Sequence, residues 1–184
     1  TSIACAVAFV AATAMGALGL AMTFYLRERY GASGAQIGGF TALWALCYIL
    51  GCNFARPLAN QVAPKVAVAC SLFGILAGTM LVHFCGSLFW AFVFNGGYAV
   101  CTSFFWPMLM TWVARIREGE GLNKRLSAYN VAWSSGTIIG PVLGGWLSEG
   151  NAVRPLVFAW ALFFAAGLML VFAILFLPRI RADR

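Results

Sequence analysis

Residues 136–147 read GTIIGPVLGGWL. Gly136, Gly140, Pro141, Gly144 and Gly145 fall at fixed offsets inside an apolar stretch. In an exposed helix each glycine costs about 1 kcal/mol relative to alanine, and a proline about 3 kcal/mol. Such a run makes sense where a second helix must approach to backbone contact, which side chains would prevent. Gly136, Gly140 and Gly144 recur every fourth residue, so they form one smooth groove on a helix face. Pro141 removes a backbone hydrogen bond and lets that helix bend.

The rest of the chain fits a helix buried in lipid. Of 184 residues, 62% are hydrophobic and 9% are charged, against about 25% charged in an average soluble domain. A soluble core of this size could not hide so much apolar surface, so an integral membrane protein is expected. The net charge of +7 does not indicate a nucleic-acid partner. The basic residues sit at the ends of apolar runs and form no stripe interleaved with aromatic residues. Cys5, Cys47, Cys52, Cys70, Cys85 and Cys101 all fall inside apolar runs without a CxxC pair. They read as small buried packing residues, not as metal ligands or disulfides.

Six apolar runs cover roughly 2–25, 34–55, 66–86, 88–114, 126–148 and 155–178. Each reaches about 20 residues, enough to cross ~30 Å of hydrocarbon as a helix. Strands of a membrane barrel would be about 10 residues long with strict alternation, which is absent. The expected fold is all-α and polytopic: one six-helix transmembrane bundle over 1–178. Residues 179–184 would begin a basic linker or tail. Connections are short, so consecutive helices are antiparallel neighbours, and helices 3 and 4 meet in a tight turn at Gly86–Ser87. One side carries Arg56, Lys65, Arg115, Arg117, Lys124, Arg125, Arg179, Arg181 and Arg184; the other carries Arg27, Arg29 and Arg154. Nine basic residues against three predict that both termini are cytoplasmic, with the cell (inner) membrane as the expected location.

The spans hold little ionisable chemistry. Glu28, Glu118, Glu120, Glu149 and Asp183 lie in loops or at helix ends, so no buried acid offers a proton relay. His83, the single histidine, reads as a helix-end polar residue. Neither HExxH nor GxSxG occurs, and Ser134 and Ser135 have no histidine or acid near them in sequence. An intramembrane enzyme would need a nucleophile–base pair or metal ligands at depth. No enzymatic activity, metal or cofactor is expected.

Uncharged polar and aromatic residues fall in strips. Helix 4 places Asn95, Thr102 and Trp106 within a narrow arc, with Tyr98 beside it. Helix 5 aligns Asn130, Ser134 and Thr137, flanked by Tyr129 and Trp133. Helix 2 aligns Thr41, Trp44, Tyr48 and Cys52. These strips are expected to line a water-filled cleft that holds a ligand by hydrogen bonds and aromatic faces. The competing use of the same residues is to join helices to one another. The glycine groove lies about 80° from the Asn130–Thr137 strip. One face of helix 5 would then pack on a helix while the next looks into the cleft. Ala12, Gly16 and Gly19 are small enough for close packing of helix 1.

GTIIGPVLGGWL in a fifth helix resembles the fifth-helix signature of the major facilitator superfamily, a motif associated with its antiporter branches. The connection between helices 2 and 3, GCNFARPLANQVAPK, is similar to that family's cytoplasmic loop motif. Gly51, Arg56, Pro57 and Lys65 are compatible with it. Asn60 stands where the family has an aspartate, Gln61 where a basic residue is usual and Ala63 where a glycine is usual. In helix 4, Phe92 occupies the place of a family arginine if Asn95–Gly97 is the polar–glycine pair. The resemblance covers essentially the whole chain. It implies one half of a twelve-helix transporter, with helices 1, 2, 4 and 5 facing a second six-helix half across the cleft. That partner would lie in the same chain beyond Arg184 or in another copy. The absence of an initial methionine and the tail LPRIRADR lead to the expectation of a longer chain.

The implied function is secondary active or facilitative transport of a small solute by alternating access, in the manner of an efflux antiporter. With no buried charge in these helices, a neutral, amphipathic or aromatic solute is expected. Two alternatives remain open on the sequence. One is a non-transporting sensor or assembly module on a decayed transporter; the other is a self-pairing half-transporter.

Overall fold

A computed structural model describes residues 2–58, 62–115 and 121–176. Six helices follow one another: α1 (Ser2–Tyr30), α2 (Gly34–Leu58), α3 (Pro64–Phe84), α4 (Leu88–Arg115), α5 (Leu122–Ser148) and α6 (Arg154–Phe176). Asn60, Gln61 and residues 179–184 lie outside the described residues, as do the side chains of Arg56 and Pro57.

Helix ends follow local chemistry. Gly31, at φ 62°, closes α1. Its N–H donates to the Arg27 carbonyl, and the Ala32 N–H donates to the Leu26 carbonyl. This left-handed cap suits glycine, which lacks the Cβ that disfavours positive φ. Two residues later Ser33 and Gln36 form a reciprocal capping box for α2. The Ser33 N–H donates to Gln36 Oε1 at 2.8 Å, and the Gln36 N–H donates to Ser33 Oγ at 3.3 Å. Pro64 starts α3 at a position where a missing N–H has no cost. At the start of α6, Asn151 Oδ1 accepts the Val153 N–H at 2.8 Å.

Among the described residues, five helices are long and apolar enough to cross a membrane: Ser2–Tyr30, Gly34–Ala55, Pro64–Phe84, Leu88–Ala114 and Arg154–Phe176. In α5 the glycines and Asn130, Ser134, Ser135 and Thr137 lower the hydropathy, and its glycine face is seated on α1. A Cβ on Gly136 would lie 2.5 Å from the Phe9 carbonyl oxygen and 2.8 Å from Ala12 Cβ. One on Gly140 would strike the Thr13 carbonyl oxygen and lie 3.0 Å from the Ala17 nitrogen. One on Gly144 would lie 2.7 Å from the Ala17 carbonyl oxygen. Both sets of numbers rise together, so α1 and α5 run parallel along a shared seam. From α1, Gly16 completes the seam against Pro141. Gly19, expected to share this role, is exposed with open space around it; its side of α1 faces away from α5.

A second small-residue seam joins α3 to α4. A Cβ on Gly74 would strike Cys101 Sγ, and one on Gly78 would lie 2.8 Å from Tyr98 Cβ. These positions count in opposite directions, so the two helices are antiparallel, as the connection of Cys85–Ser87 requires. Gly51, assigned from sequence to the loop motif, lies inside α2. A Cβ there would strike Ser103 Oγ of α4 and lie 2.9 Å from its Cβ. Gly51 therefore acts as a packing position for α4. Cys47 and Cys52 also meet α4, near Gly96 and the Ser103 carbonyl respectively. The cysteines are only partly buried, and Cys70 is exposed, so the expectation of buried packing thiols holds for none of them fully.

Neighbour to neighbour, the helices run α2, α4, α3, α6, α1, α5 around the bundle. The ring does not close: no Cα of α2 lies within 8 Å of one in α5. The core sits where α1, α3, α4 and α6 meet and includes Leu18, Ile75, Phe105, Leu109, Phe163 and Leu170.

Candidate substrate cleft

Among the described residues, the open side of the ring lies between the predicted strips of α2 and α5. α2 and α5 form its two lips. α4 and α1 lie behind it and touch the opposite lips only lightly. On the α5 lip, Asn130, Trp133, Ser134 and Thr137 are all exposed. Trp133 meets Trp106 of α4 edge to face, with centroids 6.3 Å apart. That contact fixes which side of α5 looks toward α4. Asn130 and Thr137 follow Trp133 round the helix within about 60°, and Ser134 within about 100°. Thr137 Oγ1 donates to the Trp133 carbonyl at 2.9 Å. Pro141 lacks the N–H that would bond the Thr137 carbonyl, which adds acceptor capacity to the same strip.

On the α2 lip, Trp44 stacks on Tyr48 with centroids 5.2 Å apart and planes 14° from parallel. Trp44 also lies 6.0 Å from the ring of Tyr98 on α4. Thr41, one turn earlier, is exposed and donates to the Ile37 carbonyl at 3.3 Å. Tyr129 of α5 is buried.

Two predicted cleft residues do not face this gap. Asn95 is 1% exposed, and its Nδ2 donates to the Phe40 carbonyl of α2 at 2.8 Å. Thr102 is 1% exposed and donates to the carbonyl of Tyr98 in its own helix at 2.9 Å. Their arc on α4 turns inward, where a polar side chain must find a protein partner because lipid and water are both excluded. Tyr98 is buried too and reaches the gap only through its contact with Trp44. Phe92, in the place of a family arginine, packs edge to face on Phe40 at 5.3 Å.

The predicted loop residues divide. Lys65 is described: its Nζ donates to the Ala173 carbonyl of α6 at 3.2 Å and lies 5.8 Å from the Trp112 ring centroid. Asn60 and the Arg56 side chain lie outside the described residues. Sequence reasoning missed the Gly74–Gly78 seam, although its four-residue spacing matches that of α5. It also missed Pro107 inside α4, which lacks the N–H that the Ser103 carbonyl would otherwise accept.

On the far side of the bundle an apolar groove lies between α3 and α6, lined by residues such as Leu72, Phe163 and Gly167. It offers nothing to orient a polar solute and reads as lipid-facing surface. Among the described residues no group of histidine, cysteine and acidic side chains could hold a metal ion.

The long apolar helices among the described residues fit an integral membrane protein. A family model for the Major Facilitator Superfamily matches residues 4–184, and the chain belongs to that family. It is a six-helix half of such a membrane transporter. No curated protein matches the sequence.

Proposed function

We propose that the chain moves a small solute by alternating access, with the solute held in the gap between α2 and α5 opposite a second six-helix half. The observation that carries this reading is the Asn130–Ser134–Thr137 strip, exposed beside Trp133 on a helix whose glycine face is seated on α1. An exposed polar strip at membrane depth is expensive against lipid, and stable where it lines an aqueous path. The strip, Thr41, Trp44, Tyr48, Trp106 and Trp133 form the solute-facing set.

The basic excess at the end holding residues 65, 124 and 125 supports a cytoplasmic placement of both termini. The α5 motif supports exchange of the antiporter type. Among the described residues, Glu28 and Glu149 sit at helix ends and no acid lies in the middle of a span. A coupled ion would therefore be bound by the second half.

A flux screen over a panel of small solutes, in vesicles carrying the full protein, tests this. At least one solute moves. Asn130→Ala and Trp106→Ala each lower its rate by roughly 3- to 10-fold, as loss of one ligand contact predicts, with thermal melting unchanged. No movement of any solute overturns transport; unchanged rates in both variants overturn the site.

A further inference from the structure

The apolar groove between α3 and α6 lies across the bundle from the gap between α2 and α5. Leu72, Phe73 and Leu76 line it from α3; Phe164, Gly167 and Val171 line it from α6. Phe73 and Phe164 are 58% and 59% exposed, so the groove opens outward to lipid. A Cβ on Gly167 would approach nothing closer than Leu72 Cδ2 at 3.9 Å. Gly167 thus leaves open the space that a side chain would fill. Space of that width admits an extended hydrocarbon chain and not a second helix, which needs about 10 Å.

Lys65 marks one end of this groove. Leu72 and Leu76 follow it by seven and eleven residues and lie within about 20° of its direction around α3. Its Nζ donates to the Ala173 carbonyl at 3.2 Å and lies 5.8 Å from the Trp112 ring centroid. These contacts place the ammonium between the same two helices that wall the groove. Helical rise sets Leu72 and Leu76 roughly 10 and 17 Å from Lys65 along α3. One leaflet of hydrocarbon is roughly 15 Å deep, half of the ~30 Å core. A lipid with its phosphate at the level of Lys65 therefore carries its acyl chain along the groove. Lysine beside tryptophan is also the usual pairing at headgroup level. In sequence, Arg179, Arg181 and Arg184 follow Phe176 against a single acid, Asp183.

We propose that α3 and α6 hold one anionic glycerophospholipid, its phosphate at Lys65 and one acyl chain in the groove past Gly167. The site is independent of the solute gap and of the transport reading. Lipid tails are as apolar as the groove, so the chain contributes fit and the charge contributes preference. A basic residue near the membrane surface favours an anionic over a neutral lipid about fivefold.

Native mass spectrometry of the full protein, titrated in micelles with dioleoylphosphatidylglycerol or with zwitterionic dioleoylphosphatidylcholine, reads the affinity of the first lipid bound. Phosphatidylglycerol is expected to bind about fivefold more tightly. Lys65→Gln keeps a donor for the Ala173 carbonyl and removes the charge. It should erase the preference and leave phosphatidylcholine unchanged. Gly167→Leu fills the groove and should weaken phosphatidylglycerol by roughly threefold or more, because the chain loses its packing contacts. Equal affinities of the two lipids in the unsubstituted protein overturn the proposal, whether or not either variant folds. So does unchanged phosphatidylglycerol affinity in folded Gly167→Leu, or a preference that survives in folded Lys65→Gln. A dimer that Gly167→Leu dissociates gives the groove to a second copy and overturns the lipid site as well.

Discussion

Gly140 stands so close to Thr13 that a methyl group on its α-carbon would run into the Thr13 carbonyl oxygen. The obstacle is backbone and cannot swing aside. Gly140→Ala should therefore force α1 and α5 apart and cost about 1–3 kcal/mol, the usual range for overpacking. Gly19→Ala is the matched control, because nothing lies within 4 Å of a Cβ there. Replacing glycine inside a helix should leave stability unchanged or raise it by up to about 1 kcal/mol. Thermal melting of the detergent-solubilised protein distinguishes the two. Equal melting temperatures would show that the seam tolerates side chains.

Asn95 and Asn130 are the same residue type in opposite settings. The Asn95 amide holds α4 to the Phe40 carbonyl inside the bundle, whereas Asn130 is exposed on the α5 lip. Interhelical polar bonds in membranes contribute about 0.6 kcal/mol on average and up to about 1.7 kcal/mol. Asn95→Ala should lower the melting temperature by the corresponding small amount and leave the KM for transport unchanged. Asn130→Ala should do the reverse. A raised KM in Asn95→Ala with normal melting would move Asn95 back into the solute path.

At the end of the bundle where α3 turns into α4, two tyrosines of α1 bind carbonyls that the helix end leaves free. The Tyr25 hydroxyl donates to the His83 carbonyl at 3.1 Å, and the Tyr30 hydroxyl donates to the Cys85 carbonyl at 2.9 Å. Both bonds anchor the short Cys85–Ser87 connection to α1. Tyr30→Phe keeps the ring and removes the donor, so about 0.5–1.5 kcal/mol of stability should be lost. Hydrogen exchange at residues 85–88 should quicken while exchange within the α1–α5 seam stays slow. Unchanged exchange at the connection would mean that the turn holds itself.

The α5 seam was legible because its signal is periodic: glycines at every fourth position can mean only one face, and that face meets α1. The Gly74–Gly78 seam carries the same spacing but lacks a proline or a third glycine, so it reads as ordinary apolar helix until Tyr98 and Cys101 are seen against it. Polar strips were legible as strips and not as destinations. A helical arc that holds Asn95 and Thr102 is the same arc whether it faces water or another helix. Only the position of α2 settles that Asn95 finds the Phe40 carbonyl. Trp44 could be placed on a strip from spacing, but its contact with the Tyr98 ring depends on where α4 lies. Gly51 was legible as part of a family motif, whereas its use in admitting Ser103 depends on where α4 lies.

Lys65, a basic residue of the motif between α2 and α3, also has a structural contact that can be tested. Its Nζ donates to the Ala173 carbonyl of α6 and lies over Trp112 of α4. Lys65 thus ties the start of α3 to α4 and α6. A charged hydrogen bond contributes roughly 1.5–3 kcal/mol and an exposed cation–π contact roughly 0.5–1 kcal/mol; partial solvation at this end places the expected loss for Lys65→Met near about 2 kcal/mol. Hydrogen exchange should quicken at residues 173–176, and Lys65→Arg, which keeps the charge and a donor, should restore most of the protection. If Lys65→Met instead slowed flux with melting and exchange unchanged, Lys65 would act in transport and its tie to α6 would carry no weight.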